Sequence, residues 1–205
     1  LLSIAKTKGY DFALLKEGLK YLSEKKSLAN IENLFDRYYY THLIMFSGNL
    51  PREGDLFRNF LLEEVEILNI LTLLRMKRAK VDRNIVKDFI ILSGDKSKDS
   101  RIMRLADLDD LEELSKALGK SKYKNVISKG IEEFKNSSSL IALEAELYKY
   151  LLKQSVLFMH QHPLSIDVIL GYIFAKEVEV RNLKIIVKGK QLGLSEEFIE
   201  SQLVF

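Results

Sequence analysis

The six residues EVEILN (Glu64–Asn69) return 113 positions later as EVEVRN (Glu177–Asn182), and four of the six are identical. Each copy lies in a long, mostly apolar stretch whose apolar side chains recur with helical spacing. An internal repeat constrains the architecture more strongly than any local pattern does. The two copies therefore indicate a duplicated helix, and the rest of the chain can be aligned outward from it.

The duplication extends towards the N-terminus with a shift of 112 residues, so a one-residue insertion separates the two parts of the alignment. Eight identities fall between residues 18 and 55, and they superpose the only two prolines of the chain. The identical pairs are Gly18/Gly130, Ser27/Ser139, Leu28/Leu140, Glu32/Glu144, Tyr38/Tyr150, Phe46/Phe158, Pro51/Pro163 and Asp55/Asp167. We therefore predict repeat units of about 112 residues: the end of a truncated first unit at 1–25, a second unit at 26–137 and a third at 138–205.

The fold class predicted from this pattern is all-α, built from tandem long helical hairpins. Gly and Pro are scarce, at 10 and 2 of 205 residues, which favours helices over an all-β fold. The predicted helices cover 10–23, 28–46, 55–78, 84–92, 108–118, 122–134, 139–161 and 166–192. Residues 93–101 are predicted to form a solvated loop.

Helix ends can be assigned from the same sequence. Pro51 and Pro163 should end the first helix of each hairpin, because proline lacks the N–H group. Asp55 and Asp167 should then cap the second helix, since a carboxylate suits the positive end of the helix dipole. Gly193 is predicted as a left-handed residue after the last long helix, and Ser195 as the cap of a final short one.

Composition excludes several classes of protein. The net charge is +3 with both signs interspersed, which does not favour a nucleic-acid partner. Cysteine is absent, so disulfides and thiolate metal sites are ruled out. No window approaches the roughly 18 apolar residues of a membrane span, and no signal peptide is visible. The chain opens on Leu1 inside an apolar periodic stretch, which suggests that an upstream segment is missing.

No set of residues predicts catalysis, a cofactor or a metal. The phosphate-binding and dinucleotide-binding glycine motifs are absent. His160 and His162 are two positions apart, so they point to different sides of a helix. No arrangement of Ser, His and Asp for nucleophilic catalysis can be recognised. We therefore expect a protein that is not an enzyme and that has no cofactor or metal site.

The candidate functional residues are polar side chains that both repeats place on the second, otherwise apolar helix. Carboxylates on such a helix need donors, because an unpaired buried charge is costly. One interpretation is that they hold each hairpin in register through internal hydrogen bonds, with Glu177 and Arg181 free to pair on the surface. The other is that part of the set faces a cavity or a partner. The set comprises Glu64, Glu66, Asn69, Arg75 and Lys77 in one unit, and Glu177, Glu179, Asn182, Lys188 and Lys190 in the next.

Two segments resemble a known family. The stretches Leu61–Arg75 and His162–Lys190 are similar to the C subunit of archaeal and bacterial A/V-type ATP synthases, whose eukaryotic relative is the d subunit of the vacuolar proton ATPase. The resemblance extends from about residue 10 to the C-terminus. Its most specific part runs from Pro-Leu-Ser-Ile-Asp (163–167) to Glu-Val-Arg-Asn-Leu (179–183).

This resemblance implies three similar units around a pseudo-threefold axis, forming a funnel, with most of the first unit absent here. It implies a non-catalytic central-stalk protein that couples the rotary shaft to the membrane rotor ring during proton or sodium ion transport. The implied partners are the proteolipid subunits of the rotor ring and the subunits of the central shaft. The implied location is peripheral, at the cytoplasmic face of the membrane. The alternative is a helical-repeat scaffold that binds other soluble proteins.

Overall fold

The computed structural model describes residues 28–50, 53–128, 140–161 and 167–204, together with 16 and 20. These residues form α-helices and no β-strand, which confirms the all-α prediction. Residues 124–128 are also helical, as are residues 16 and 20 within the predicted helix at 10–23. The rest of that segment and both prolines fall outside the described ranges. The remaining helices are α1 (Leu28–Gly48), α2 (Glu53–Arg78), α3 (Arg83–Asp88), α4 (Lys96–Asp107), α5 (Leu111–Leu118), α6 (Ile141–Gln161), α7 (Asp167–Gln191) and α8 (Glu196–Ser201).

The long helices pack in two pairs, α1 with α2 and α6 with α7. Helix α2 is the centre of the described structure, because it also contacts α4, α5, α6 and α7. Its residues are apolar around most of its circumference, which is the pattern of a helix surrounded by others. One side of it packs with Ile44 of α1, and the other packs into the main core with α5 and α6.

The predicted loop at 93–101 is wrong, because α4 begins at Lys96. The Asp95 carboxylate accepts hydrogen bonds from the N–H groups of Ser97 and Lys98, which caps the helix. Ile102 and Ala106, four residues apart, are both buried in the main core that contains α2. The first turn is polar and exposed, so the apolar periodicity that reveals a helix starts only after the helix has begun.

Three other helix boundaries differ from the predictions. Helix α3 ends at Asp88 instead of continuing to residue 92. Helix α2 starts at Glu53, so Asp55 lies in its first turn and is not its N-cap. Helix α5 starts at Leu111 because Asp110 caps it by accepting a hydrogen bond from the Glu113 N–H. Helix α7 starts at Asp167, so this residue, like Asp55, lies in the helix and is not its N-cap.

The C-terminal helix ends are as predicted. Gly193 has a φ of +68°, and the Leu194 N–H donates to the Gly189 carbonyl at 3.0 Å, which closes α7 in a Schellman motif. Ser195 caps α8 by accepting from the Phe198 N–H. Among the described helices, none is long and apolar enough to cross a membrane.

Candidate functional site

The two repeat-related asparagines make the same contact. The Asn69 amide donates to the Ile91 carbonyl at 2.8 Å and accepts from the Ile91 N–H at 2.9 Å. The Asn182 amide does the same with Val204, at 2.7 and 3.0 Å. In both cases the partner lies 22 residues further on, in a non-helical stretch. Each asparagine thus satisfies both backbone groups of a residue that has left the helix, and the recurrence supports the predicted duplication.

Two more members of the polar set bind neighbouring elements of the same unit. Glu66 pairs with Arg101 of α4 and lies 3.2 Å from Lys122, on the turn after α5. Lys77 is buried, and its ammonium donates to the Ala106 carbonyl at 2.8 Å and to the Leu108 carbonyl. A cation there also suits the negative end of the α4 dipole. Both side chains therefore attach α4 to α2.

Arg75 connects the second predicted unit to the third. Its guanidinium donates two hydrogen bonds of 2.7 Å to the Glu144 carboxylate on α6. The two N–H groups of a guanidinium can bond both oxygens of a carboxylate in one plane, and such two-bond pairs are stronger than pairs joined by one hydrogen bond. The Tyr150 hydroxyl of α6 adds a bond to Glu63 of α2 at 3.2 Å. The α2–α6 contact thus combines an apolar core with polar links.

We expect the Arg75–Glu144 pair to contribute about 1 kcal/mol to stability, since Arg75 is more than half exposed and solvent weakens its charge. A double-mutant cycle with Arg75→Ala and Glu144→Ala, measured by urea unfolding, gives the coupling energy directly. The exposed pair of Glu112 and Lys116 on α5 is the matched control, and its coupling should be only a few tenths of a kcal/mol. A coupling energy near zero for Arg75 and Glu144 would show that this ion pair does not stabilise the contact between α2 and α6.

A cleft of about 380 Å³ opens where α1, α2, α6 and α7 meet. The carboxylates Glu64 and Glu177, which the repeat alignment makes equivalent, both line this cleft. The packing of α2 and α7 therefore places equivalent residues of the two predicted units in one site. The Tyr40 hydroxyl donates to Glu64 at 3.0 Å. Burial raises the pKa of Glu64 to about 7; the hydrogen bond from Tyr40 opposes this rise and the nearby Glu177 adds to it. Glu64 is therefore a titrating group near neutral pH.

Basic and aromatic residues line the rest of the cleft. Arg181 places its guanidinium over the Tyr148 ring, 3.9 Å from the ring centroid, instead of forming the surface pair with Glu177 that their spacing allows. Lys184 follows one turn later on α7. The cleft thus carries charges of both signs. Within the described ranges, no three His, Asp or Glu side chains lie close enough together to bind a metal ion.

The last three members of the set lie on the surface of α7. Glu179 pairs with Lys176 three residues away, and Lys190 pairs with Glu196 of α8. Lys188 is exposed, and among the described residues it forms no salt bridge. The polar set therefore divides into internal contacts, cleft residues and surface residues.

Sequence reasoning missed the partners of these residues. Arg101 fell in a stretch predicted to be a loop, and Tyr40 has no equivalent tyrosine in the other unit. Glu144 is the exception, because it is identical to Glu32 in the repeat alignment, and this identity could have added it to the set of candidate residues.

Comparison with known proteins places this chain in a family. Residues 3–202 match the model described as ATP synthase (C/AC39) subunit. The C subunit of the A-type ATP synthase of Methanococcoides burtonii is 36% identical over an alignment of 212 residues, covering 100% of this chain and 58% of the relative. The proteins of the same name from Methanosarcina barkeri and Methanocaldococcus jannaschii are 36% and 29% identical, covering 87% and 94% of this chain and 48% of each relative.

The chain thus spans about half the length of the curated relatives it matches. No solved structure matches it. Because the family model covers nearly all of the sequence, the chain belongs to the ATP synthase (C/AC39) subunit family.

Proposed function

We propose that this chain is a non-catalytic central-stalk component of an A-type ATP synthase, which couples the rotary shaft to the membrane rotor ring during proton or sodium ion transport. The observation that carries the proposal is the family match over residues 3–202, together with relatives named as the C subunit of A-type ATP synthases. Its partners are then the proteolipid subunits of the ring and the subunits of the shaft. The chain is held peripherally at the cytoplasmic face of the membrane, through the ring. It forms the end of the first unit and the second and third units of a pseudo-threefold funnel.

The packing around α2 suits a part that transmits torque. A coupler must resist deformation, and closely packed helix interiors have low compressibility. Helix α2 packs against five other helices, and Ile70 and Leu73 are completely buried within it. Polar contacts from Arg75, Glu66 and Lys77 hold its neighbours in place.

The cleft supports the same role. A socket for a charged shaft needs polar groups on a concave surface, because a large exposed apolar patch would favour unspecific association. Glu64 of α2 and Glu177 of α7 line the cleft, and Arg181 and Lys184 follow Glu177 along the same side of α7. A shaft segment carrying both charge signs is the partner that such a wall would accommodate.

Co-purification tests this proposal. The affinity-tagged chain is expressed with the ring and shaft subunits encoded in the same genome, and the membranes are solubilised in detergent. Ring and shaft subunits should be retained with the tagged chain, whereas a tagged helical protein of similar size should retain neither. Recovery of the chain without either of them would refute the proposal, and recovery with an unrelated soluble protein would favour the scaffold alternative.

The non-catalytic assignment has its own test. The purified chain should release no phosphate from ATP, because the sequence contains no phosphate-binding motif. The measurement is a phosphate-release assay with the chain alone, with a purified ATPase as positive control. Steady phosphate release that co-elutes with the chain would contradict the assignment.

A further inference from the structure

Two neighbouring carboxylates of α2 are held by residues from three other parts of the fold. Glu63 and Glu66 are three residues apart, so they lie next to each other on one side of the helix. Both side chains are largely buried, with 14 and 13% of their area exposed. Like charges at this spacing destabilise a helix, and their repulsion grows where solvent is excluded. The two carboxylates therefore need cations or hydrogen-bond donors from other elements.

Lys122 contacts both carboxylates. Its ammonium is 2.7 Å from the Oε1 atom of Glu63 and 3.2 Å from the Oε2 atom of Glu66. The turn that carries Lys122 is anchored by the next residue, because Tyr123 is completely buried in the main core. A single cation thus binds both carboxylates from a well-anchored turn.

Each carboxylate also has a second partner, on a different helix. The Tyr150 hydroxyl of α6 donates to Glu63 at 3.2 Å, and Arg101 of α4 pairs with Glu66. Burial and the charge of Glu63 raise the pKa of Tyr150 to about 12, so its hydroxyl is a donor at neutral pH. A continuous chain of contacts therefore runs from Tyr150 through Glu63, Lys122 and Glu66 to Arg101. Among the described residues, no hydrogen bond or ion pair joins Arg101 to Tyr150 directly.

The equivalent positions of the next repeat unit are satisfied in another way. A shift of 113 residues takes Glu63 to Lys176 and Glu66 to Glu179. These two residues pair with each other at 2.5 Å on the surface of α7. In α7 the cation thus comes from the helix itself. In α2 the corresponding position holds a glutamate, so the cation comes from the turn after α5.

We propose that Lys122 couples the contact of α4 with α2 to the contact of α6 with α2, so that the strength of each depends on the other. A carboxylate already held by one partner loses less conformational freedom when it binds Lys122. A lysine held by one carboxylate likewise loses less when it binds the second, so contacts in such a chain strengthen one another. This coupling is a property of the fold and does not depend on the proposed role in an ATP synthase.

A double-mutant cycle measures the coupling. Arg101→Met and Tyr150→Phe each remove one end of the chain of contacts, and phenylalanine keeps the ring that packs edge-on against Tyr123. Urea unfolding of the wild type, both single variants and the double variant gives four equilibrium constants of unfolding. If the two ends are coupled, the constant of the double variant should be about threefold smaller than the product of the single effects predicts.

Changes at Lys122 assign the coupling to this residue. In a Lys122→Met background, the effects of Arg101→Met and Tyr150→Phe should simply multiply, because no side chain then joins the two carboxylates. Lys122→Arg should restore the deviation, since a guanidinium can also bond two carboxylates. A lysine that only added stability would change all four constants by the same factor and leave the cycle unaltered.

Arg104→Met is the matched control for Arg101→Met. Arg104 is also an exposed arginine of α4, and its guanidinium donates to the Ser100 carbonyl of its own helix. The effect of Arg104→Met should multiply with that of Tyr150→Phe, both with and without the Lys122 ammonium. Circular dichroism spectra of every variant show whether the helices are retained.

Two results would overturn the proposal. One is a wild-type cycle in which the effects of Arg101→Met and Tyr150→Phe simply multiply. The other is a deviation that persists after Lys122→Met. Neither result bears on the ring and shaft co-purification, and a failure of that co-purification would leave the coupling within this chain unaffected.

Discussion

Replacing Asn69 by leucine should lower the free energy of unfolding by about 3 kcal/mol, because it removes two buried hydrogen bonds and leaves both backbone groups of Ile91 without a partner. Leucine is no smaller than asparagine, so little of the loss should come from a cavity. Urea denaturation followed by circular dichroism at neutral pH measures the change. Asn59→Leu, at an exposed position on the same helix, is the matched control and should stay within about 0.5 kcal/mol of wild type.

Asn182→Leu should cost about half as much. The contact between Asn182 and Val204 has the same geometry, but Asn182 is only partly buried and water can replace some of the lost bonds. If Asn69→Leu proved as mild as its Asn59 control, the asparagine would not be a structural residue, and a role in binding a partner would be favoured instead.

Glu64→Gln should make the chain more stable than wild type above about pH 7, by about 2 kcal/mol. The folded pKa of Glu64 is about 7 and the unfolded value is 4.5, so the folded state binds more protons between these pH values. Wild-type stability therefore falls as pH rises through this window and stays lower above it. Glutamine is neutral at every pH and can still accept a hydrogen bond from Tyr40, so the variant lacks this loss.

The measurement is a series of urea unfolding curves at pH 5, 6, 7 and 8 for both proteins. Other groups titrate equally in the two chains, so the difference between wild type and variant isolates Glu64. Glu179→Gln is the control, because that carboxylate is exposed on the surface of α7. A wild-type-to-variant difference that is constant from pH 5 to 8 would show that Glu64 has an ordinary pKa.

Much of the fold followed from comparing the sequence with itself and with helical spacing. Both signals are local: an apolar side chain every three or four residues identifies a helix wherever it packs. Helices α1, α2, α6 and α7 therefore lay close to their predicted positions, and Gly193 and Ser195 ended and began helices as expected. The error at α4 has the same origin, because its first turn carries no apolar residue to give the signal.

The candidate site could be predicted only as a set of residues. The repeat marked Asn69 and Asn182 as equivalent, but it did not reveal that each binds backbone 22 residues away. Arg75 and Glu144 are 69 positions apart, and only packing of α2 against α6 brings them together. Glu64 and Glu66 are two positions apart, so they point to different sides of α2. Only the packing of other helices decides that Glu64 lines the cleft and that Glu66 pairs with Arg101.

The sequence by itself determined that this chain is an all-helical protein of the C/AC39 type, and it predicted a repeat whose two copies share a polar set that includes Asn69 and Asn182. Helical periodicity and repeated motifs can be recognised from short stretches of sequence, without knowledge of which helices pack against each other. Only the tertiary structure decided which polar residues are internal, which line a cleft and which remain exposed, because burial and pairing depend on neighbours distant in sequence. The same EVE motif thus lies on a surrounded helix in α2 and on a helix with one open face in α7.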